Sequence, residues 1–124
     1  MPAPIAKILI VDDEADICFF LDLNLSKRGF RTSIFHTIEQ AKDGVKALKP
    51  NILLIDNHLP DGKGIEFAKQ VSNKYPRMKI IMITAHDSQQ DRSLAFDAGV
   101  DYFVSKPFTL QQINEIVDKV LTKT

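Results

Sequence analysis

Asp12, Asp13, Asp56, Thr84 and Lys106 are the side chains in this sequence whose types and positions could do chemistry together. Each directly follows a short apolar run: Asp12-Asp13 follow AKILIV, Asp56 follows NILLI, Thr84 follows KIIMI and Lys106 follows YFVS. If those runs are parallel strands, their C-terminal ends open on one edge of a sheet, which is where open α/β sheets bind ligands. Three carboxylates, a hydroxyl and an ammonium would then share one rim. Carboxylates that close repel one another and raise each other's pKa unless a cation sits among them. An all-oxygen donor set suits Mg²⁺, or Mn²⁺, better than Zn²⁺. Taken singly, each residue has a plainer reading: Asp as a turn former or helix cap, Thr as a strand residue, Lys as a solvated loop cation. Convergence at four of five strand ends is what favours a functional site.

The elements that must position these groups follow from the pattern along the chain. Ala6–Val11, Arg31–Phe35, Asn51–Ile55, Lys79–Ile83 and Tyr102–Ser105 predict five strands. Continuous apolar runs suit strands buried on both faces, the habit of parallel sheets. Arg31–Phe35 is mixed in polarity, ends in Phe35-His36 and suits a sheet edge. A first helix is expected over Glu14–Arg28, stopped by Gly29 in the left-handed cap position. Ile17, Phe20, Leu21 and Leu25 are expected on its packed face and Phe19 and Leu23 opposite, with Cys18 as core filler. Thr37 with Gln40 and Thr109 with Gln112 fit capping boxes. Leu59-Pro60-Asp61-Gly62 reads as a turn, and a helix from about Ser88 stops at Gly99. The last helix, Thr109 to about Thr122, carries Leu110, Ile113, Ile116, Val117, Val120 and Leu121 at helical spacing. Strand–helix alternation repeated five times predicts a three-layer α/β fold: a five-stranded parallel sheet with helices on both faces.

Composition narrows the function. The 124 residues suit one domain, expected over 1–124. Lys+Arg and Asp+Glu both number 16, so the net charge gives no reason to expect direct binding to nucleic acid or an anionic membrane surface. A single cysteine, Cys18, cannot form an intrachain disulfide. Met1-Pro2-Ala3-Pro4 lacks the features of a secretory leader, and no apolar run approaches the ~20 residues that span a bilayer. A cytoplasmic protein is expected.

With the motifs in place, the sequence resembles the receiver domain of two-component response regulators, of which the chemotaxis response regulator is the single-domain form. The likeness runs from Lys7 to about Leu121: the Asp12-Asp13 pair, D-x-x-L-P-x-x-x-G at Asp56–Gly64, I-T-A at Ile83–Ala85, and K-P-F at Lys106–Phe108. The resemblance implies a flavodoxin-like strand order 2-1-3-4-5 and Asp56 as phosphoacceptor. It implies Mg²⁺ (or Mn²⁺) held by Asp13 directly, Asp12 through water, Asp56, and the main-chain carbonyl of His58. Thr84 and Lys106 would bind phosphoryl oxygens, with the Lys106–Pro107 peptide bond cis. The phosphodonor would be a sensor histidine kinase or a histidine phosphotransfer protein, for which Phe19 and Leu23 offer a docking patch unless they pack on the fifth helix. A downstream protein or output domain would read the switched face of helix four, strand five and helix five, with a phosphorylation-dependent homodimer as a further partner. Such a module is a signalling receiver rather than an enzyme, catalysing only its own phosphorylation and dephosphorylation.

Some positions depart from the family pattern. Phe103 stands where Tyr is common, so the switching aromatic lacks a hydroxyl. Asn57 replaces an apolar residue, and His58 and His86 occupy the positions that tune dephosphorylation in the family. Two nitrogen ligands are too few for a zinc site. Two other classes compete. A haloacid-dehalogenase-like phosphatase would place its nucleophile in D-x-D after the first strand, whereas here the lone Asp follows the third. A flavodoxin-type cofactor binder needs a phosphate cradle after strand one, where this chain has Asp-Asp-Glu.

Overall fold

A computed structural model describes residues 5–122, so Met1–Pro4 and the last two residues lie outside it. Seven strands and five helices occur among the described residues. In chain order they are β1 (Lys7–Val11), α1 (Ala15–Lys27), β2 (Arg31–Phe35), α2 (Ile38–Leu48), β3 (Ile52–Ile55), β4 (His58–Leu59), β5 (Gly62–Lys63), α3 (Gly64–Lys74), β6 (Lys79–Thr84), α4 (Gln89–Asp97), β7 (Tyr102–Ser105) and α5 (Leu110–Thr122). The main sheet is parallel throughout, in the order β2-β1-β3-β6-β7. Counting only its five strands, that is the expected 2-1-3-4-5. The tiny β4-β5 hairpin stands apart and is the turn expected at Leu59–Gly62.

Period-two alternation explains how one continuous apolar run serves two faces. Leu9, Val11, Leu53, Ile55, Ile80 and Met82 point to one side, where they meet Ala41 and Val45 of α2, Phe67, Ala68 and Val71 of α3, and Ala95 of α4. Ile8, Ile10, Ile52, Leu54, Ile81 and Ile83 point to the other, against Cys18, Leu21 and Leu25 of α1 and Ile113, Val117 and Val120 of α5. Nearly all are fully buried. Truncating one of these Leu or Ile residues to Ala costs about 2–5 kcal/mol.

Local chemistry sets the ends. Gly29 stops α1 at φ +94°, and Gly99 follows α4 at φ +102°. The Thr37 hydroxyl accepts from Gln40 N–H, and Thr109 and Gln112 exchange both bonds of a capping box. Gln40 itself reaches one residue further than a box requires, to His36 N–H. A second box, Ser88 with Asp91, opens α4 and was not anticipated. Nor was Asp61, whose carboxylate accepts from Ile38 and Glu39 N–H (2.8 and 3.0 Å) and so ties the hairpin to the start of α2. Those bonds hold its pKa below the usual carboxylate value.

Several expectations need correction. Phe20 does not share the packed face of α1: it is 56% exposed, beside Phe19 (60%) and Leu23 (44%). At about 100° per residue, Cys18, Leu21 and Leu25 form the buried stripe, and Phe20 falls more than a right angle away. Phe19 and Leu23 likewise do not bury against α5. On α5 itself, Leu110 and Leu121 sit at the margin of the stripe and are partly exposed. Thr84, expected just past its strand, is the last residue of β6. No described helix is long and apolar enough to cross a membrane.

Candidate functional site

The C-terminal edge of the sheet brings together the side chains singled out from the sequence. Register does the placing: Val11 pairs with Ile55 and Ile55 with Met82, while Thr84 pairs with Ser105, so the residues after them emerge side by side. Asp56 N–H donates to Val11 O (3.0 Å), and Asp12 N–H to Phe35 O (3.1 Å), extending the ladders into the site. One carboxylate oxygen each from Asp12, Asp13 and Asp56 lies within 4.8 Å of the others. Asp12 (3% exposed) and Asp56 (7%) are buried, and Asp13 faces solvent.

Lys106 bridges the cluster. Its Nζ donates to Asp12 Oδ2 (2.9 Å), Asp56 Oδ2 (3.0 Å) and Glu14 Oε2 (2.7 Å). Its own N–H bonds Thr84 O (2.9 Å), which fixes the Lys106 loop to the end of β6, and the Lys106–Pro107 bond is cis. Burial opposes the ammonium, but the three carboxylate bonds outweigh it and hold Lys106 above the ordinary lysine range. Burial also raises the Asp12 pKa, against the lowering pull of Glu14 N–H and Lys106. Asp13 has no hydrogen bond or ion pair among the described residues, so its carboxylate is free to meet a ligand. Three hard oxygen donors with a cation on only one side fit a small divalent ion.

Close packing supports this geometry from below. Gly64, at the start of α3, lies so near the Asp56 carbonyl that any Cβ would collide with it. Asn57 secures the same approach: its backbone O accepts from Gly64 N–H (2.7 Å) and its side-chain Oδ1 from Ile65 N–H (2.9 Å). Lys63, the N-cap of α3, makes no side-chain cap, so Asn57 fills that role from across the loop. This is a physical reason for an amide where an apolar residue was expected.

The remaining candidates flank the pocket. Thr84 is 1% exposed, and its Oγ1 accepts from His86 N–H (3.3 Å). His58 and His86 stack with ring centroids 3.7 Å apart and planes tilted by 41°, joining the loops after β3 and β6. Lys63 Nζ donates to His58 Nδ1 (3.2 Å). Burial, then His86 and Lys63, lowers the His58 pKa. Phe103 is half-buried against the α2–α3–α4 side of the core, with the Arg92 guanidinium 4.8 Å from its ring centre. Arg92 also donates to Ser105 Oγ (2.9 Å), tying α4 to β7.

Two further residues reach the site and were not foreseen. Glu14 is one, and the strand-end rule would have found it had it been extended one residue past Asp12-Asp13. His36 is the other: Nδ1 donates to Asp12 O (2.9 Å), so β2 also contributes to this edge. Cys18 Sγ donates to the same carbonyl (3.2 Å), and burial pushes its thiol pKa to about 11, as befits an inert core cysteine.

Comparison with known proteins agrees with this geometry. The family model of the response regulator receiver domain matches residues 8–118. A two-component response regulator from Clostridium difficile is similar at TM-score 0.92 and 25% identity, over 95% of this chain and 97% of that one. A CheY-like receiver domain protein from Methanospirillum hungatei JF-1 is 28% identical at TM-score 0.87, over 98% and 100% of the two chains. The beryllofluoride-activated NtrC4 receiver domain, solved as a dimer, is 27% identical at TM-score 0.87, over 92% and 94%. With its parallel sheet in flavodoxin-like order and its acidic pocket under a bridging lysine, this chain belongs to the receiver domains of two-component response regulators.

Proposed function

We propose that the chain acts as one receiver domain that accepts a phosphoryl group on Asp56. The observation that carries this reading is Lys106 Nζ, held between Asp12 and Asp56 on one side of three clustered carboxylates. An Asp56 carboxylate oxygen attacks the phosphorus of a phosphohistidine on a kinase or phosphotransfer protein. The P–N bond breaks, its electron pair stays on the histidine nitrogen, and an acyl phosphate forms. Phosphoryl transfer has a loose transition state, so positioning and charge stabilisation are the protein's work. Asp13, Asp56 and the His58 carbonyl, with Asp12 through water, would hold Mg²⁺ or Mn²⁺, which supplies positive charge beside the phosphoryl oxygens. Lys106 pairs with one oxygen, and the Thr84 hydroxyl binds another.

Thr84 moves toward the new group, and the half-buried Phe103 follows into the space it leaves. That displacement strains the Arg92 contact over the ring and remodels the α4–β7–α5 face for a downstream protein, an output domain or a second copy. The stacked His58 and His86 close one side of the pocket and slow entry of the hydrolytic water. The cytoplasm, where phosphodonor kinases present their histidines, is the proposed location.

Incubation with acetyl phosphate and Mg²⁺, read by intact-protein mass, tests the reading. The wild type gains one phosphoryl group and Asp56→Asn gains none. Labelling retained in Asp56→Asn would refute Asp56 as the acceptor.

A further inference from the structure

The neutral net charge conceals an uneven placement of charge. Carboxylates crowd the C-terminal edge of the sheet, whereas Lys7, Arg31 and Lys79 open β1, β2 and β6 at the opposite edge. Between α2 and α3 at that basic end lies a groove of about 300 Å³, rimmed by Lys42 and Lys46 on one side and Lys74 on the other. It adjoins a second hollow of about 470 Å³ that shares Lys74 and Tyr75 and adds Lys49 and Arg77. All five cations are exposed, and among the described residues none has a carboxylate within ion-pair distance. Val45, Phe67 and Val71 lie beneath the first groove and are almost wholly buried, so the open surface is mostly that of its rim.

Helix dipoles account for Lys46 and Lys74, one in the last turn of each helix. They do not account for Lys49 beyond the end of α2, for Arg77, or for Lys42 a turn earlier, which also lies in the field of Asp61. We infer that this groove is a docking site for an acidic peptide segment of a partner protein. Its Asp and Glu residues would meet Lys42, Lys46 and Lys74. Charge complementarity selects the sign of the partner. Phe67 is 4% exposed and offers no open ring for a base to stack on, and Asp43 in the lining disfavours a continuous phosphate chain. The groove is concave, which suits a peptide and not a flat bilayer. This site is separate from the Asp56 pocket and stands or falls without it.

Fluorescence anisotropy of a labelled Glu-rich peptide, titrated with the full chain, tests the inference. The peptide is expected to bind, to weaken with added salt, and to lose affinity when its Glu residues become Gln. Combined Lys42→Glu, Lys46→Glu and Lys74→Glu should weaken it at least about tenfold, the sum of three exposed ion pairs. Lys69→Glu, on the other side of α3, should leave it unchanged, and labelling of Asp56 by acetyl phosphate should persist in the triple variant. Equal binding by the triple variant would overturn the proposal. So would oligouridylate or anionic phosphatidylserine vesicles binding as tightly as the peptide.

Discussion

The two edges of the sheet handle charge in opposite ways. At the C-terminal edge, carboxylates are buried to 3% and 7% exposure and tied to one ammonium by bonds of 2.9 and 3.0 Å. Toward the N-terminal edge, Lys42, Lys46, Lys49, Lys74 and Arg77 are exposed, with no carboxylate within ion-pair distance among the described residues. Buried charges must be compensated in place, so their geometry is specified and each partner matters. Solvated charges contribute to the field around the molecule and little to its stability. On the proposed reading the first edge does chemistry and the second serves recognition.

Breaking the compensation should have the largest effect. Lys106→Met leaves Asp12 and Asp56 facing each other without a cation, and is expected to lower stability by about 3 kcal/mol in metal-free buffer. Urea denaturation with and without Mg²⁺ checks this, because a divalent ion should restore part of the loss. Equal midpoints for wild type and variant without metal would mean that Lys106 does not compensate the pocket.

Next in size is Gly64→Ala. Its Cβ would collide with the Asp56 carbonyl, a backbone atom that cannot rotate away. Overpacking of this kind costs about 1–3 kcal/mol, and the displaced Asp56 loop should weaken Mg²⁺ binding as well. Calorimetry of folding and of Mg²⁺ titration reads both. A variant with wild-type metal affinity would uncouple the α3 start from the site.

A smaller, pH-dependent effect belongs to Asp61. Its pKa is depressed from 3.8 by the Ile38 and Glu39 N–H bonds. A depressed folded-state pKa gives stability that is present above the unfolded value and lost as pH falls through the folded one. Below about pH 4, therefore, the melting temperature of the wild type should fall more steeply than that of Asp61→Asn. Parallel curves would remove Asp61 from the capping of α2. At the opposite edge, the Lys42/Lys46/Lys74 charge reversal, which sets two anions against helix C-termini, should cost about 1–2 kcal/mol, against the ~3 kcal/mol at Lys106. That ratio is the comparison in its sharpest form.

The two edges were also unequally legible in the sequence. Asp12, Asp13, Asp56, Thr84 and Lys106 were readable because a strand's end is marked by where its apolar run stops, and parallel strands stop together. The strand order came from the resemblance to a family, since the β-αβ pattern alone allows several. Asp61, Asn57 and His36 were not readable as they act, because each bonds backbone groups brought near only by the finished fold. Phe20 misled for a related reason: α1 carries apolar residues nearly all the way round, so pattern alone does not say which arc is covered. The basic groove was hidden by a net charge of zero, a sum that carries no information about position.

The central claim is that Asp12, Asp13 and Asp56 gather around one divalent ion opposite Lys106. A crystal structure of the chain with Mg²⁺ and beryllofluoride tests it most directly. The account predicts a metal coordinated by these carboxylates and the His58 carbonyl, with beryllofluoride on Asp56 and its fluorines contacting Lys106 and Thr84. Beryllofluoride elsewhere, or carboxylates turned apart with no metal between them, would contradict it.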